Sequence, residues 1–155
     1  MKQLSNYVFI CVIALLLSNV FVTHATAQDN QSEKYAAEAS TTMKVRITAN
    51  GKTTIFVLND SQAARNLLTQ LPLSIKIEDY SDNEKIFYPP KRLGTSDTPL
   101  ADAQAGTLAY YAPWGDVVMF YNNFGSASGL YELGYAVSGK EHISGMTGII
   151  LIEKE

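Results

Sequence analysis

Thiol and imidazole groups are almost absent from this chain, whose 155 residues hold one cysteine, Cys11, and two histidines, His24 and His142. Cys11 and His24 both fall in segment 1–27, which has the features of a cleaved secretory signal. Lys2 gives the positive start, Tyr7–Leu17 is an unbroken apolar run, and Ala25-Thr26-Ala27 sets small residues where a signal peptidase cuts. Without that segment the chain has no thiol, one histidine, and 11 basic against 15 acidic residues, a formal charge of −4. Those absences exclude a disulfide framework, a cysteine nucleophile, a thiolate metal site and a multi-histidine metal site, so no metal and no cofactor is expected. A Ser-His-Asp arrangement would have to run through His142, which follows Glu141 near a turn and reads as a surface histidine. The acidic balance and scattered lysines exclude a nucleic-acid footprint.

Long hydrophobic runs are missing beyond the leader. The leader's own run falls short of the ~18–20 apolar residues that span a bilayer, and Ser18 and Asn19 interrupt it before Val20, Phe21 and Val22. The expectation is an exported protein, periplasmic or extracellular, with no stable membrane insertion of the mature chain. The alternative is a retained N-terminal membrane anchor. Residues 28–42 are polar with Tyr35 as their one aromatic, too little apolar surface to offset ordering entropy, and are expected to be a flexible lead-in.

Familiar catalytic signatures are absent too. The chain has no Walker loop, G-x-G-x-x-G, G-x-S-x-G or H-E-x-x-H. Gly125-Ser126-Ala127-Ser128-Gly129 is glycine- and serine-rich but precedes a strand, so it lacks the helix terminus that would help hold a phosphate. Glu78, Asp79, Asp82 and Glu84 cluster without calcium-loop spacing and read as a solvated turn.

What remains is a domain over residues 43–155, large enough for one core. Met43, Val45 and Ile47 alternate with polar neighbours as a half-buried strand, and Asn50-Gly51 is a strong hairpin turn into Thr54–Leu58. One helix stands out. Asn59, Asp60 or Ser61 caps it, Ala63, Ala64, Leu67, Leu68 and Leu71 make its apolar stripe, and Pro72 ends it. Leu73, Ile75 and Ile77 then alternate as a single strand, and Lys85–Tyr88 forms the next, stopped by Pro89-Pro90. Lys91–Gly106 is a long irregular loop. Thr107–Ala112 and Val117–Tyr121 are joined by Pro113-Trp114-Gly115-Asp116, and Asn122–Gly129 is a small-residue loop carrying Phe124. Leu130–Val137 and Thr147–Glu153 complete the strands around a short turn or helix at Gly139–Met146. The expected architecture is mainly β: a closed eight-stranded antiparallel barrel with one clear helix and one short helix.

Aromatics are the enriched constellation. Tyr110, Tyr111, Trp114, Phe120, Tyr121 and Phe124 fall within fifteen residues, with Phe87 and Tyr88 on another strand. Strand alternation sends Tyr110 and Tyr111 to opposite faces, and likewise Phe120 and Tyr121, so half of the set must leave the barrel interior. Those outside either pack the helix or an edge, as in a purely structural or interaction domain, or line a groove for a proline ring, a peptide or a sugar. Trp114 is the leading groove residue, because a tight turn seldom needs an indole for stability.

The hairpin KVRITANGKTTIFVLND, then SQAARNLLTQLPL, IEDY, EKIFYPPKRL, GTLAYYAPWGDVVMFY and LGYAVSGKE resemble, in that order, the bacterial cyclophilin-like family, small atypical members of the cyclophilin fold. AYYAPWG is the most specific block, and the resemblance spans 43–155. It implies an eight-stranded barrel capped by helices. Cyclophilins isomerise prolyl bonds with an arginine in an F-H-R-x-I-P motif, followed by F-M-x-Q-G-G. The corresponding stretch here is Ile86-Phe87-Tyr88-Pro89-Pro90-Lys91-Arg92, with Tyr88 near the arginine's place, and the Q-G-G segment is missing. No catalytic residue is carried over; Arg92 is the one substitute. The expected site is therefore a peptide- or small-ligand-binding surface of Tyr88, Arg92, Tyr111, Trp114 and Phe124, possible partners being a proline-containing peptide or a small ligand. A weak peptidyl-prolyl cis/trans isomerase using Arg92 is the alternative.

Overall fold

A computed structural model describes residues 43–155. The expected signal at 1–27 and lead-in at 28–42 lie outside the described residues. The first alternating run forms β1, Lys44–Ala49, and returns as β2, Lys52–Leu58. Ala49 pairs with Lys52 across a two-residue turn in which Asn50 and Gly51 take φ of 52° and 72°. That left-handed pair defines the type I′ geometry, which matches the twist of the two strands.

Helix α1, Gln62–Leu68, is capped by Ser61, whose hydroxyl accepts from the Ala64 N–H. Two more of its free N–H groups are met from the long loop, Gln62 by Asp97 at 2.5 Å and Ala63 by the Thr98 hydroxyl at 3.2 Å. Arg65 pairs with Asp60 and Asp97 at 2.7 Å each. The Gln62 N–H, and then Arg65, hold the Asp97 carboxyl below its usual range. The middle of the 91–106 loop is thus fastened to the helix. Ala63, Ala64 and Leu67 face the main core.

The remaining strands are β3, Leu73–Lys76; β4, Glu78–Tyr80; β5, Glu84–Phe87; β6, Thr107–Tyr111; β7, Asp116–Phe120; β8, Leu130–Ser138; and β9, Ile149–Lys154. A 3-10 helix, Lys140–Gly145, lies before β9. All pairings are antiparallel, in the order β3-β9-β1-β2-β8-β6-β7-β5-β4.

Among the described residues there are nine strands, not the eight expected, and the physical reason lies at Ile77. The run expected as a single strand breaks there, because Ile77 is buried and its N–H donates to the Gly148 carbonyl at 2.9 Å. The half before the break pairs with β9 and the half after it with β5. One broken stretch of chain therefore forms both ends of the sheet order, and the barrel is nearly closed through it.

Two apolar clusters lie on opposite faces of this wall. The barrel interior holds Val45, Ile47, Phe56, Phe87, Leu108, Tyr110, Val117, Met119 and Ile152, with Ile143 and Met146 around the 3-10 helix. Full burial of each such side chain is worth about 1.5–3 kcal/mol. The outer face of β5, β6 and β7 carries Ile86, Ala109, Val118 and Phe120, covered by Ala101 and Ala103 of the long loop. The strand alternation separates Tyr110 from Tyr111 and Phe120 from Tyr121 as expected: Tyr110 packs inside and Phe120 outside. β7 is consequently buried along its whole length.

Candidate functional site

The outer cluster does not close completely. Beside it a cleft of about 190 Å³ opens on the face of β4, β5, β7 and β6. The ladder registers build its floor. Tyr80 stands opposite Glu84, Glu84 opposite Phe120, and Tyr111 opposite Asp116, all on one face with Val118. The 122–129 loop supplies a wall. The Phe124 and Gly125 N–H groups donate to the Ala103 carbonyl at 2.9 and 2.8 Å, which sets the Phe124 ring 5.4 Å from that of Phe120.

Trp114 forms the opposite side. It is 48% exposed, with its ring edge-on to Tyr80 at 5.1 Å and to Tyr111 at 5.5 Å. The turn that presents it is tightly held. Gly115 donates to the Tyr111 carbonyl at 2.8 Å, and Ala112 to the Gly129 carbonyl at 2.9 Å. The Arg92 guanidinium donates to the Ala112 carbonyl at 2.8 Å and lies against Gly115, where an added Cβ would meet its Cζ at 3.2 Å. Gly115 also takes a φ of 82°, and that left-handed backbone is what favours glycine there.

Of the residues expected to form the site, Tyr111, Trp114 and Phe124 come together in the cleft. Tyr88 and Arg92 do not line it. Tyr88 is exposed beside its rim, its phenol raised above the ordinary value by burial and then by the Asp116 charge. Arg92 braces the Trp114 turn instead, because the Ala112 carbonyl takes its Nη1.

Tyr80 and two carboxylates in the cleft were not expected there. Glu84, read from its neighbours as part of a solvated turn, is 8% exposed, and Asp116, read as a turn residue, is 2% exposed. Burial pushes the Asp116 carboxyl up. Burial, and then the Asp116 charge, do the same to Glu84. Asp116 Oδ1 is enclosed without a hydrogen-bond partner. Among the described residues neither carboxylate has a lysine or arginine nitrogen within 4.0 Å. Lys85, next to Glu84, points the other way and pairs with Asp79. The signal that could have found Asp116 is its position at the head of Val117–Phe120, an apolar run reading as a strand buried on both faces. For Glu84 the sequence carries no such signal. Among the described residues, no three of His, Cys, Asp and Glu group as a metal site.

The comparisons with known proteins concern the barrel that carries this cleft. The sequence profile of the cyclophilin-like family matches residues 47–152. The chain belongs to the cyclophilin-like family. No curated protein matches this cyclophilin-like chain. Its fold is similar to the solution structure of a hypothetical protein from Archaeoglobus fulgidus, with a TM-score of 0.57 and 16% identity, over 74% of this chain and 95% of that one. That likeness shows the cyclophilin-like fold alone, and the site is argued from its own residues.

Proposed function

We propose that this cyclophilin-like chain is an exported ligand-binding module, whose aromatic cleft takes a small ligand or one side chain of a peptide. The observation that carries the reading is Trp114, half-exposed and held edge-on between Tyr80 and Tyr111 above the buried Asp116. Aromatic groups kept open in that way give contact area at little entropic cost. A wholly packed structural domain would bury them, and Phe124 is as open as Trp114, at 47%. The cleft is smaller than the ~300–1,000 Å³ of drug-sized sites, which fits a side chain or a small molecule.

Trp114 is the sole tryptophan, so its emission reports on the cleft directly. A panel of proline-containing peptides, monosaccharides, small alcohols, carboxylic acids and amines is expected to give at least one saturable shift. Tyr111→Ala is expected to weaken that ligand by about tenfold, the scale of one lost aromatic contact. Silence across the whole panel would overturn the ligand-binding reading.

A further inference from the structure

Carboxylates accept hydrogen bonds and, once ionised, donate none. Asp116 Oδ1 is therefore an acceptor enclosed beside the cleft with nothing donating to it. A buried acceptor in this condition costs free energy until a donor arrives. Glu84 lines the same cleft, and its carboxylate likewise has no ion-pair partner among the described residues.

Three features select the charge and size of that donor. Two carboxylates meet no cation among the described residues, so a positive donor offsets the charge of the one it reaches, where a neutral donor supplies a hydrogen bond alone. The rings of Tyr80, Tyr111 and Trp114 lie around the same space, and aromatic faces attract a cation further. The volume of about 190 Å³ admits a short chain rather than a large ring system.

The register argues against a metal ion. Asp116 and Glu84 face the cleft four positions apart along β7, Glu84 being opposite Phe120. At ~3.3 Å per residue along the strand and ~4.8 Å between strands, their backbones stand about 14 Å apart, with Val118 between them. A divalent ion needs about six oxygen ligands close together, and this arrangement supplies isolated carboxylates on an apolar floor.

We infer that the cleft binds the protonated amine of a short alkyl chain, with Asp116 accepting its N–H groups, the Tyr80–Trp114–Tyr111 cluster covering its methylenes, and Glu84 adding negative potential from the far end. The inference rests on the ligand-binding reading and narrows it to organic cations. A free amine and the side chain of a lysine present this same chemistry.

The test titrates the full chain with n-butylammonium, 1-pentanol, a capped pentapeptide with one central lysine, and magnesium or calcium chloride, following Trp114 emission. n-Butylammonium is expected to bind at least about tenfold more tightly than 1-pentanol, and Asp116→Asn is expected to erase that preference. Tighter binding of the peptide than of n-butylammonium assigns the amine to a protein lysine. Binding of n-butylammonium without the peptide assigns it to a free amine, and both results support the inference. Equal binding of 1-pentanol and n-butylammonium would overturn it while leaving an apolar ligand cleft in place. So would a preference unchanged in Asp116→Asn, or a magnesium or calcium response stronger than that to the amine. Silence to all four, alcohol included, overturns the inference and leaves the ligand-binding reading to the wider panel of sugars, acids and proline peptides. The pentanol comparison uses the unaltered chain, so it decides the matter even if the variant folds poorly.

Discussion

Asp116 lies among apolar side chains, where its charged form is disfavoured and its proton is held more tightly than in the unfolded chain. The sign of the consequence follows. Below the unfolded carboxylate value of ~3.9 both states are protonated and the group is no burden. As pH rises the unfolded chain loses the proton first, the folded state binds more protons, and stability falls until pH passes the raised folded value. Glu84 acts with the same sign, its value raised by burial and then by Asp116. Asp116→Asn should therefore raise the Tm near neutral pH and flatten the fall in stability that begins as pH rises through the unfolded carboxylate value. Thermal melts at a series of pH values check this, and parallel curves for the two proteins would refute it. A fold that tolerates such a burden commonly does so for function. Neither carboxylate was legible at this scale. Local context makes Glu84 one of four acidic residues around a turn and Asp116 the last residue of another turn, and only the loops packed over the outer face bury them. Trp114 was legible, because its exposure is set by the turn itself.

At the scale of elements, local sequence decided most of the outcome. The Asn50-Gly51 turn, the Ser61 cap and the apolar face of α1 each stand where the pattern placed them. The broken strand at Ile77 did not. Its alternation continues smoothly from Leu73, and the break arises because Leu73–Lys76 and Glu78–Tyr80 follow two different partners. A second element-scale constraint lies where β2 crosses β8. There Gly134 faces Leu58, and an added Cβ would fall 2.0 Å from the Val57 carbonyl oxygen. Both obstacles are backbone, so nothing flexible can give way. Gly134→Ala should cost at least the upper end of the ~1–3 kcal/mol typical of overpacking, read as a lower urea midpoint at unchanged m-value. A midpoint within experimental error of the parent would show that the two strands can separate there.

At the scale of the whole chain, the export reading makes a prediction of its own. Expressed with an intact secretion pathway, the chain should appear outside the cytoplasm with an intact mass that begins at Gln28. A full-length product held in the membrane fraction would favour the retained anchor instead. The sequence by itself determined a mainly β barrel: period-two alternation, one capped helix and turn residues of fixed chirality are local properties, and together they admit few ways to bury the apolar faces. It also bounded the chemistry of residues 43–155, which hold no thiol, since folding cannot supply one. Tertiary structure alone decided the site. The 91–106 loop, which joins β5 to β6, and the 122–129 loop, which follows β7, fold back over the outer face of these strands, where Glu84 and Asp116 are buried while Trp114 and Phe124 stay half open. Burial of a carboxylate is a property of its surroundings in space, and at Glu84 no periodicity along the chain encodes it.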